Sequence, residues 1–281
     1  MLNVVFDEAE ALRRFDKLVE LGIMKYADAS TTTLIDDGFP FTIRICSGWS
    51  QKPAVVGASS STSGQQERFG PGSDINNSHP DQTVGQLNDT HLVVLNIFPA
   101  FRPQYLLLTL DSYRSQYEPL HFEDISASWA FLQSLQKPHI ALYNCTPAGG
   151  FRLFPDNTGE KIHVPYAYFL HRFTHQPTRK TRPTSREVFD TYNSLLAKAR
   201  QHLGNAADDS DTPCPHNIIL LKDWILVIPR RPVNNSGFMT NAAGMMGMII
   251  TSTEEQAQKW LDKGVSAALA ECGIPPQVPE N

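Results

Sequence analysis

His216-Asn-Ile-Ile-Leu-Leu-Lys-Asp-Trp-Ile-Leu-Val-Ile-Pro-Arg-Arg231 decides the fold class. Two apolar runs, residues 217–221 and 224–229, flank the polar pair Lys222-Asp223. Short runs rich in Ile and Val, parted by a polar break, read as neighbouring strands; a helix would need a longer pattern. The same reading applies upstream to His91-Leu-Val-Val-Leu-Asn96 and Tyr105-Leu-Leu-Leu-Thr-Leu110, two buried strands joined by a Pro-containing turn. His139-Ile-Ala-Leu-Tyr-Asn144 and the alternating Phe41-Thr-Ile-Arg-Ile-Cys46 add further strands.

Helical spacing occupies the intervals. Asp7, with Glu10 three residues later, is a capping-box-like start for a helix carrying Leu12, Phe15, Leu18 and Val19, and Gly22 is its stop. Residues 122–135 place Ile125, Trp129, Leu132 and Leu135 on one side of a second helix. Ser185 is positioned to cap a third, with Val188, Phe189, Tyr192, Leu195, Leu196 and Leu203, ended by Gly204. Ser252 or Thr253 caps the last. Its Glu254 and Glu255 suit the positive helix end, and Trp260 and Leu261 are expected to pack. Residues 57–86, rich in Ser, Gly, Pro, Asn and Asp, predict a long irregular loop. Residues 174–186 form a basic crossing segment and 205–215 a polar loop. Strand pairs with interspersed helices predict an α+β fold, a largely antiparallel sheet with packed helices.

Composition narrows the function classes. The chain has 281 residues, 41% of them hydrophobic, enough to bury a sizeable core. A net charge of −5 excludes an overall basic nucleic-acid binder and lends no support to polybasic membrane docking. No apolar run is long enough to span a bilayer, and the N-terminus lacks the features of a signal peptide. The four cysteines, Cys46, Cys145, Cys214 and Cys272, are scattered without a CxxC pair, so neither a zinc knuckle nor a disulfide scaffold is expected. The expectation is a cytoplasmic protein with no nucleic-acid and no membrane partner.

Common catalytic signatures are missing. There is no Walker loop, GxGxxG, GxSxG or HExxH. His171 and His175 would share a face if their segment were helical, but nothing marks a third metal ligand. Cys145 reads as a structural thiol rather than a nucleophile, since no base is identifiable near it. Arg230-Arg231 at a strand end, and Lys52 beside Pro53, suit either a phosphate or plain solvent. Asn241-Ala-Ala-Gly-Met-Met-Gly-Met248 is more unusual. Small residues let backbone amides approach a ligand, and an Asn side chain can bind a ribose or phosphate oxygen. The same glycines would equally suit a tightly packed strand that another backbone approaches closely.

Several of these runs, taken in order, resemble the fungal-type diadenosine tetraphosphate phosphorylases, or ATP adenylyltransferases, of the histidine-triad-like superfamily. The matching pieces include Leu12-Arg-Arg-Phe-Asp16, Phe41-Thr-Ile-Arg44, Lys52-Pro53, His91-Leu-Val-Val-Leu-Asn96 and Tyr143-Asn-Cys145. The C-terminal match is fuller: His216-Asn217, Trp224-Ile-Leu-Val-Ile-Pro-Arg-Arg231 and Asn241-Ala-Ala-Gly-Met-Met-Gly-Met248. The resemblance implies a histidine-triad-like fold, with residues 1–186 as the phosphorylase-like N-terminal and central region. Residues 187–281 would be the C-terminal ATP adenylyltransferase segment that completes the pocket. It implies phosphorolysis of diadenosine tetraphosphate to ADP and ATP, in which a histidine attacks the α-phosphorus and carries AMP covalently. By position, Lys52 would contact phosphate, Asn96 and Asn144 would line the nucleotide pocket, and Asn241, Gly244 and Met248 would form its C-terminal wall. The implied partners are adenine nucleotides or diadenosine polyphosphates. No cofactor is firmly implied; magnesium accompanying the polyphosphate needs no dedicated protein site.

The chain departs from that pattern at the nucleophile. In the family, the Tyr-Asn-Cys run leads to a Ser-Gly-Ala-Ser-Gln segment and then His-x-His-x-Gln. Here it reads Tyr143-Asn-Cys-Thr-Pro-Ala-Gly-Gly-Phe-Arg-Leu-Phe-Pro155, and no histidine occurs between His139 and His163. Ile97 replaces the family's lysine after Leu-Asn, and Gln104 its histidine before the Leu-Leu run. Two readings follow: a nucleotide-binding homologue without a covalent nucleophile, or an active phosphorylase whose sequence here omits the His-x-His stretch. The substitutions at Ile97 and Gln104 favour the first, and the abruptness of the jump favours the second.

Overall fold

Alternation along Trp224–Pro229 sends Ile225 and Val227 to one face of a sheet and Trp224, Leu226 and Ile228 to the other, and both faces are buried. A strand covered on both sides reads as a continuous apolar run, and that is why this stretch lacks polar alternation. The structure is a computed structural model that describes residues 6–52, 79–110, 119–144, 164–173, 182–204, 214–231, 238 and 240–276. In chain order its elements are α1 (Glu8–Glu20), β1 (Ser30–Asp36), β2 (Phe39–Ile45), β3 (Thr83–Leu87), β4 (His91–Leu95), β5 (Tyr105–Thr109), α2 (Phe122–Ser134) and β6 (Ala141–Asn144). They continue with β7 (Phe169–Arg172), α3 (Ser185–His202), β8 (His216–Leu220), β9 (Trp224–Pro229), α4 (Ala242–Met245), β10 (Met248–Thr251), α5 (Glu254–Lys263) and α6 (Val265–Cys272). Short 3-10 turns cover Ser47–Gln51 and Pro80–Gln82.

The strands form three sheets, ordered β1-β2-β10, β3-β4-β5 and β6-β8-β9-β7. Every pairing among the described residues is antiparallel except β2–β10, which is parallel. The four-stranded sheet is the middle layer. On one face Ile218, Leu220, Ile225 and Val227 pack with α2 and α3 through Trp129, Leu132, Val188 and Tyr192. On the other, Ile219, Leu226 and Ile228 meet β2, α4, α5 and α6 through Phe41, Met245, Trp260 and Leu269. This sheet draws β6 and β7 from before residue 187 and β8 and β9 from after it. The α+β class with largely antiparallel strands and packed helices holds.

Several sequence readings are corrected. The last four residues of the expected loop, 83–86, belong instead to β3, because Gly85 sits against Phe6 and Val93 and the strand pairs with β4. β1, β7 and α6 were not anticipated. Thr184, not Ser185, caps α3 by accepting from the Glu187 amide, and Glu187 reaches back to the Thr184 amide. Thr253 caps α5. Trp260 is buried as expected, but Leu261 is 37% exposed. Asp7 does cap α1, accepting from the Glu10 amide at 2.9 Å, yet the Glu10 carboxylate turns to Arg13 and Arg14 instead of completing the box. His171 lies exposed on β7, not on a helix, because its segment pairs with β9; His175 lies outside the described residues. So do Cys145, His163 and residues 205–213.

Candidate functional site

Asn144 is the last residue of β6, and Asn217 stands opposite it on β8. An asparagine one position into an otherwise apolar, fully buried strand has to be satisfied internally. Asn217 is fully buried; its Nδ2 donates to Asn144 Oδ1 at 3.0 Å. Its Oδ1 accepts from Arg230 Nη1 at 2.6 Å. Arg230 follows β9 and is itself buried, and its Nε donates to the Cys272 carbonyl at 3.1 Å. Burial holds the Arg230 guanidinium below its ordinary range. Arg231, by contrast, is exposed, so the two arginines are not a pair of solvated charges.

α4 joins this network from the other side. Asn144 Oδ1 accepts a second hydrogen bond, from the Ala242 amide at 2.8 Å. Asn241 is the N-cap of α4, and its Oδ1 accepts from the Ala243 and Gly244 amides at 3.1 and 2.9 Å. The amides of this first turn are therefore taken up by two asparagine side chains. Gly244 is small for an internal reason: a Cβ there would lie 1.5 Å from Thr240 Oγ1. Met248 opens β10, buried, opposite Thr42 of β2. The structure thus brings Asn144, Asn241 and Gly244 together, with Met248 on the strand that follows.

Lys52 and Asn96 belong to a second cluster. Lys52 is exposed at the end of the Ser47–Gln51 turn, its amide donating to the Trp49 carbonyl. Trp49 Nε1 donates to the Phe98 carbonyl at 3.1 Å, and the Phe98 amide donates to Asn96 Oδ1 at 3.0 Å. Gln104 closes the same loop. Its carbonyl accepts from the Asn96 amide at 3.0 Å and its Oε1 from the Ala100 amide at 2.7 Å. Gln104 is a loop brace here, a role its amide fills through hydrogen bonds to backbone.

Behind the first cluster, His216 is buried between β8 and α3. Its Nδ1–H donates to the Cys214 carbonyl at 2.6 Å, which leaves Nε2 to accept from the Tyr192 hydroxyl at 3.2 Å. That hydroxyl in turn accepts from the Leu120 amide. Burial, aided by the Arg200 charge, pushes the imidazole down to about 4 against the opposing bond to Cys214. An unfolded histidine titrates near 6.5, so as pH falls below that value the unfolded chain takes up a proton the folded chain refuses. This stability is fully present above pH 6.5 and is lost down to about pH 4, ~3 kcal/mol in all. Denaturant midpoints across that window should fall steeply for the wild type and less so for His216→Asn. Parallel pH profiles would show that His216 titrates in the folded protein as it does in the unfolded chain, and would overturn the depression.

Sequence reasoning left Arg230 open between phosphate and solvent and did not place Asn217 in the site. The available signal was an asparagine inside an apolar strand and an arginine ending its hairpin partner. Among the described residues no group of three or more His, Cys, Asp or Glu side chains could hold a metal ion. No helix among them is long and apolar enough to cross a membrane.

Residues 9–152 match the family model of the Ap4A phosphorylase N-terminal domain, and residues 162–275 that of the ATP adenylyltransferase C-terminal domain. The chain belongs to the Ap4A phosphorylase family. It is 26% identical to Protein APA1 of Saccharomyces cerevisiae over 231 residues, 68% of this chain and 71% of that protein. It is 24% identical to the same yeast's diadenosine 5',5'''-P1,P4-tetraphosphate phosphorylase 2 over 227 residues, 65% and 69% of the two chains. The crystal structure of yeast Ap4A phosphorylase Apa2 superposes with a TM-score of 0.70 at 18% identity, covering 96% of this chain and 98% of that one. The same yeast enzyme in complex with Ap4A gives 0.69 at 19% identity. These structures share the Ap4A phosphorylase fold with this chain.

Proposed function

We propose that this chain binds adenine nucleotides as an Ap4A phosphorylase homologue and does not form the covalent AMP–histidine intermediate. The observation that carries the second half is in the sequence: no histidine stands between His139 and His163, the interval where the resemblance calls for His-x-His. A double displacement through the enzyme needs an imidazole nucleophile, and binding alone gives little turnover. The first half is supported by membership of the family and by a relative named for diadenosine tetraphosphate phosphorolysis. The asparagine cluster around α4 and the Lys52–Asn96 loop are the two surfaces assigned to the ligand. Lys52 would meet phosphate, Asn96 and Asn144 the nucleotide, and Asn241, Gly244 and Met248 the C-terminal wall.

The test has two readouts. AMP, ATP or diadenosine tetraphosphate at ~100 times its dissociation constant should stabilise the protein by about 2.7 kcal/mol, visible as a raised melting temperature. Incubation with labelled diadenosine tetraphosphate should leave no acid-labile AMP adduct on the protein. A flat melting response to all three nucleotides overturns binding. A trapped adduct overturns the loss of the nucleophile and favours the second reading, an active phosphorylase whose full chain carries His-x-His. The one observation behind that reading is the abrupt passage from Tyr143-Asn-Cys to Gly149-Gly150, which transcript sequencing across residues 143–155 checks.

A further inference from the structure

Asn144 is held by two donors that leave its amide only one orientation. The Ala242 amide is a backbone N–H and can only donate, so the Asn144 atom it meets at 2.8 Å is Oδ1. A guanidinium can only donate as well, so the Asn217 atom facing Arg230 Nη1 at 2.6 Å is Oδ1. Asn217 therefore has its NH2 left for Asn144, and it donates to the same Oδ1 at 3.0 Å. With Oδ1 occupied twice, both hydrogens of Asn144 Nδ2 point away from the network. Among the described residues no acceptor takes them, and Asn144 itself is only half-buried.

The charge behind this chain of amides has a direction. Arg230 is buried, and among the described residues its side chain bonds only to the Cys272 carbonyl and Asn217 Oδ1, with no carboxylate partner. A buried cation without a counter-ion is costly, and hydrogen-bonded amides in series polarise one another. The outward Nδ2 hydrogens sit at the positive end of that series, at the close of β6.

Resting on the nucleotide-binding reading above, we propose that Arg230 and Asn217 are positioning residues that lock Asn144 as an outward double donor to a phosphoryl oxygen of the bound nucleotide. Neither touches the ligand; they act by fixing which face of the Asn144 amide meets it. A phosphoryl oxygen fits because it only accepts hydrogen bonds and brings the negative charge that no carboxylate among the described residues gives the buried guanidinium.

Two substitutions separate the relay from the site. Asn217→Asp keeps the bond to Arg230, as an ion pair, but turns an acceptor instead of a donor towards Asn144, so the Ala242 amide alone holds Oδ1 while the new carboxylate competes for the NH2. Asn144→Asp keeps both inner bonds and puts a charged acceptor where the outward donor stood. Both should bind AMP about tenfold to about a hundredfold more weakly, the range for losing a hydrogen bond to a charged acceptor, while affinity for adenosine stays at the wild-type level. A merely structural role would not separate AMP from adenosine. If Asn144→Asp loses AMP affinity and Asn217→Asp does not, the relay is overturned and the site stands. If neither changes, both are overturned. If the wild type binds neither AMP nor adenosine, the nucleotide reading fails and the relay falls with it. Should Asn217→Asp not fold, side-chain amide exchange in the wild type decides. The Asn217 signal should be protected and the Asn144 signal should exchange freely until AMP is added. Protection of Asn144 in the ligand-free protein overturns the proposal.

Discussion

Gly247→Val should cost about 4 kcal/mol of stability, enough to lower the denaturation midpoint sharply while leaving the slope of the transition unchanged. Gly247 joins α4 to β10 with φ +87°, a region a β-branched residue adopts only under strain. A Cβ there would also sit 2.6 Å from the Pro40 carbonyl oxygen and 3.0 Å from Phe39 Cε1. The backbone cannot retreat. Gly247 N–H donates to Gly244 at 2.9 Å, and its carbonyl accepts from the Thr42 amide at 2.6 Å. Gly264→Ala is the control. It has nearly the same φ, +81°, but its Cβ would meet Asp36 Oδ2 only at 3.5 Å, so strain alone, about 1 kcal/mol, is expected. Equal losses at the two positions would mean that the close approach to β2 contributes nothing.

Asp124→Ala should be as damaging, about 4 kcal/mol, from a residue that touches neither cluster of site asparagines. Asp124 lies in the first turn of α2, nearly fully buried. One carboxylate oxygen meets His91 Nε2 at 3.0 Å, and the other accepts from the His121 amide at 2.6 Å. His91 begins β4, is 3% exposed, and uses Nδ1 against Thr90 Oγ1 at 2.8 Å. The contact therefore ties the three-stranded sheet β3-β4-β5 to the helix that covers the four-stranded sheet. Alanine would strand a buried imidazole nitrogen and remove a cap together. Asp124→Asn can still accept from the His121 amide and should recover roughly half of the loss. An alanine variant melting within a degree of wild type would sink this account.

Elements with a strong local period were legible. α1 and α3 show apolar residues at helical spacing, and their buried positions, Phe15 and Leu18 or Val188, Tyr192 and Leu195, are those the spacing selects. β8 and β9 were legible because both their faces are covered. β1 was not, since nearly every one of its residues is exposed and it has no apolar face to repeat. Its signal was the Asp37-Gly38 pair, with φ of +49° and +73°, the chemistry of a two-residue hairpin turn. β7 is four residues long and owes its existence to pairing with β9. β10 is held in place by a parallel partner, β2, some two hundred residues earlier in the chain.

By itself the sequence determined the α+β class, the family, the caps of α1 and α5 to within a residue, and the lack of histidine between His139 and His163. These depend on the order and spacing of residues along one strand of covalent chain. Only the tertiary structure decided that Asn144, Asn217, Arg230 and the Ala242 amide form one hydrogen-bonded series. An amide's role is set by which donors and acceptors surround it, and here those arrive from β6, β8, the end of β9 and the start of α4. No local pattern encodes that meeting; the pairing register of β6 with β8 and the seating of α4 against them create it.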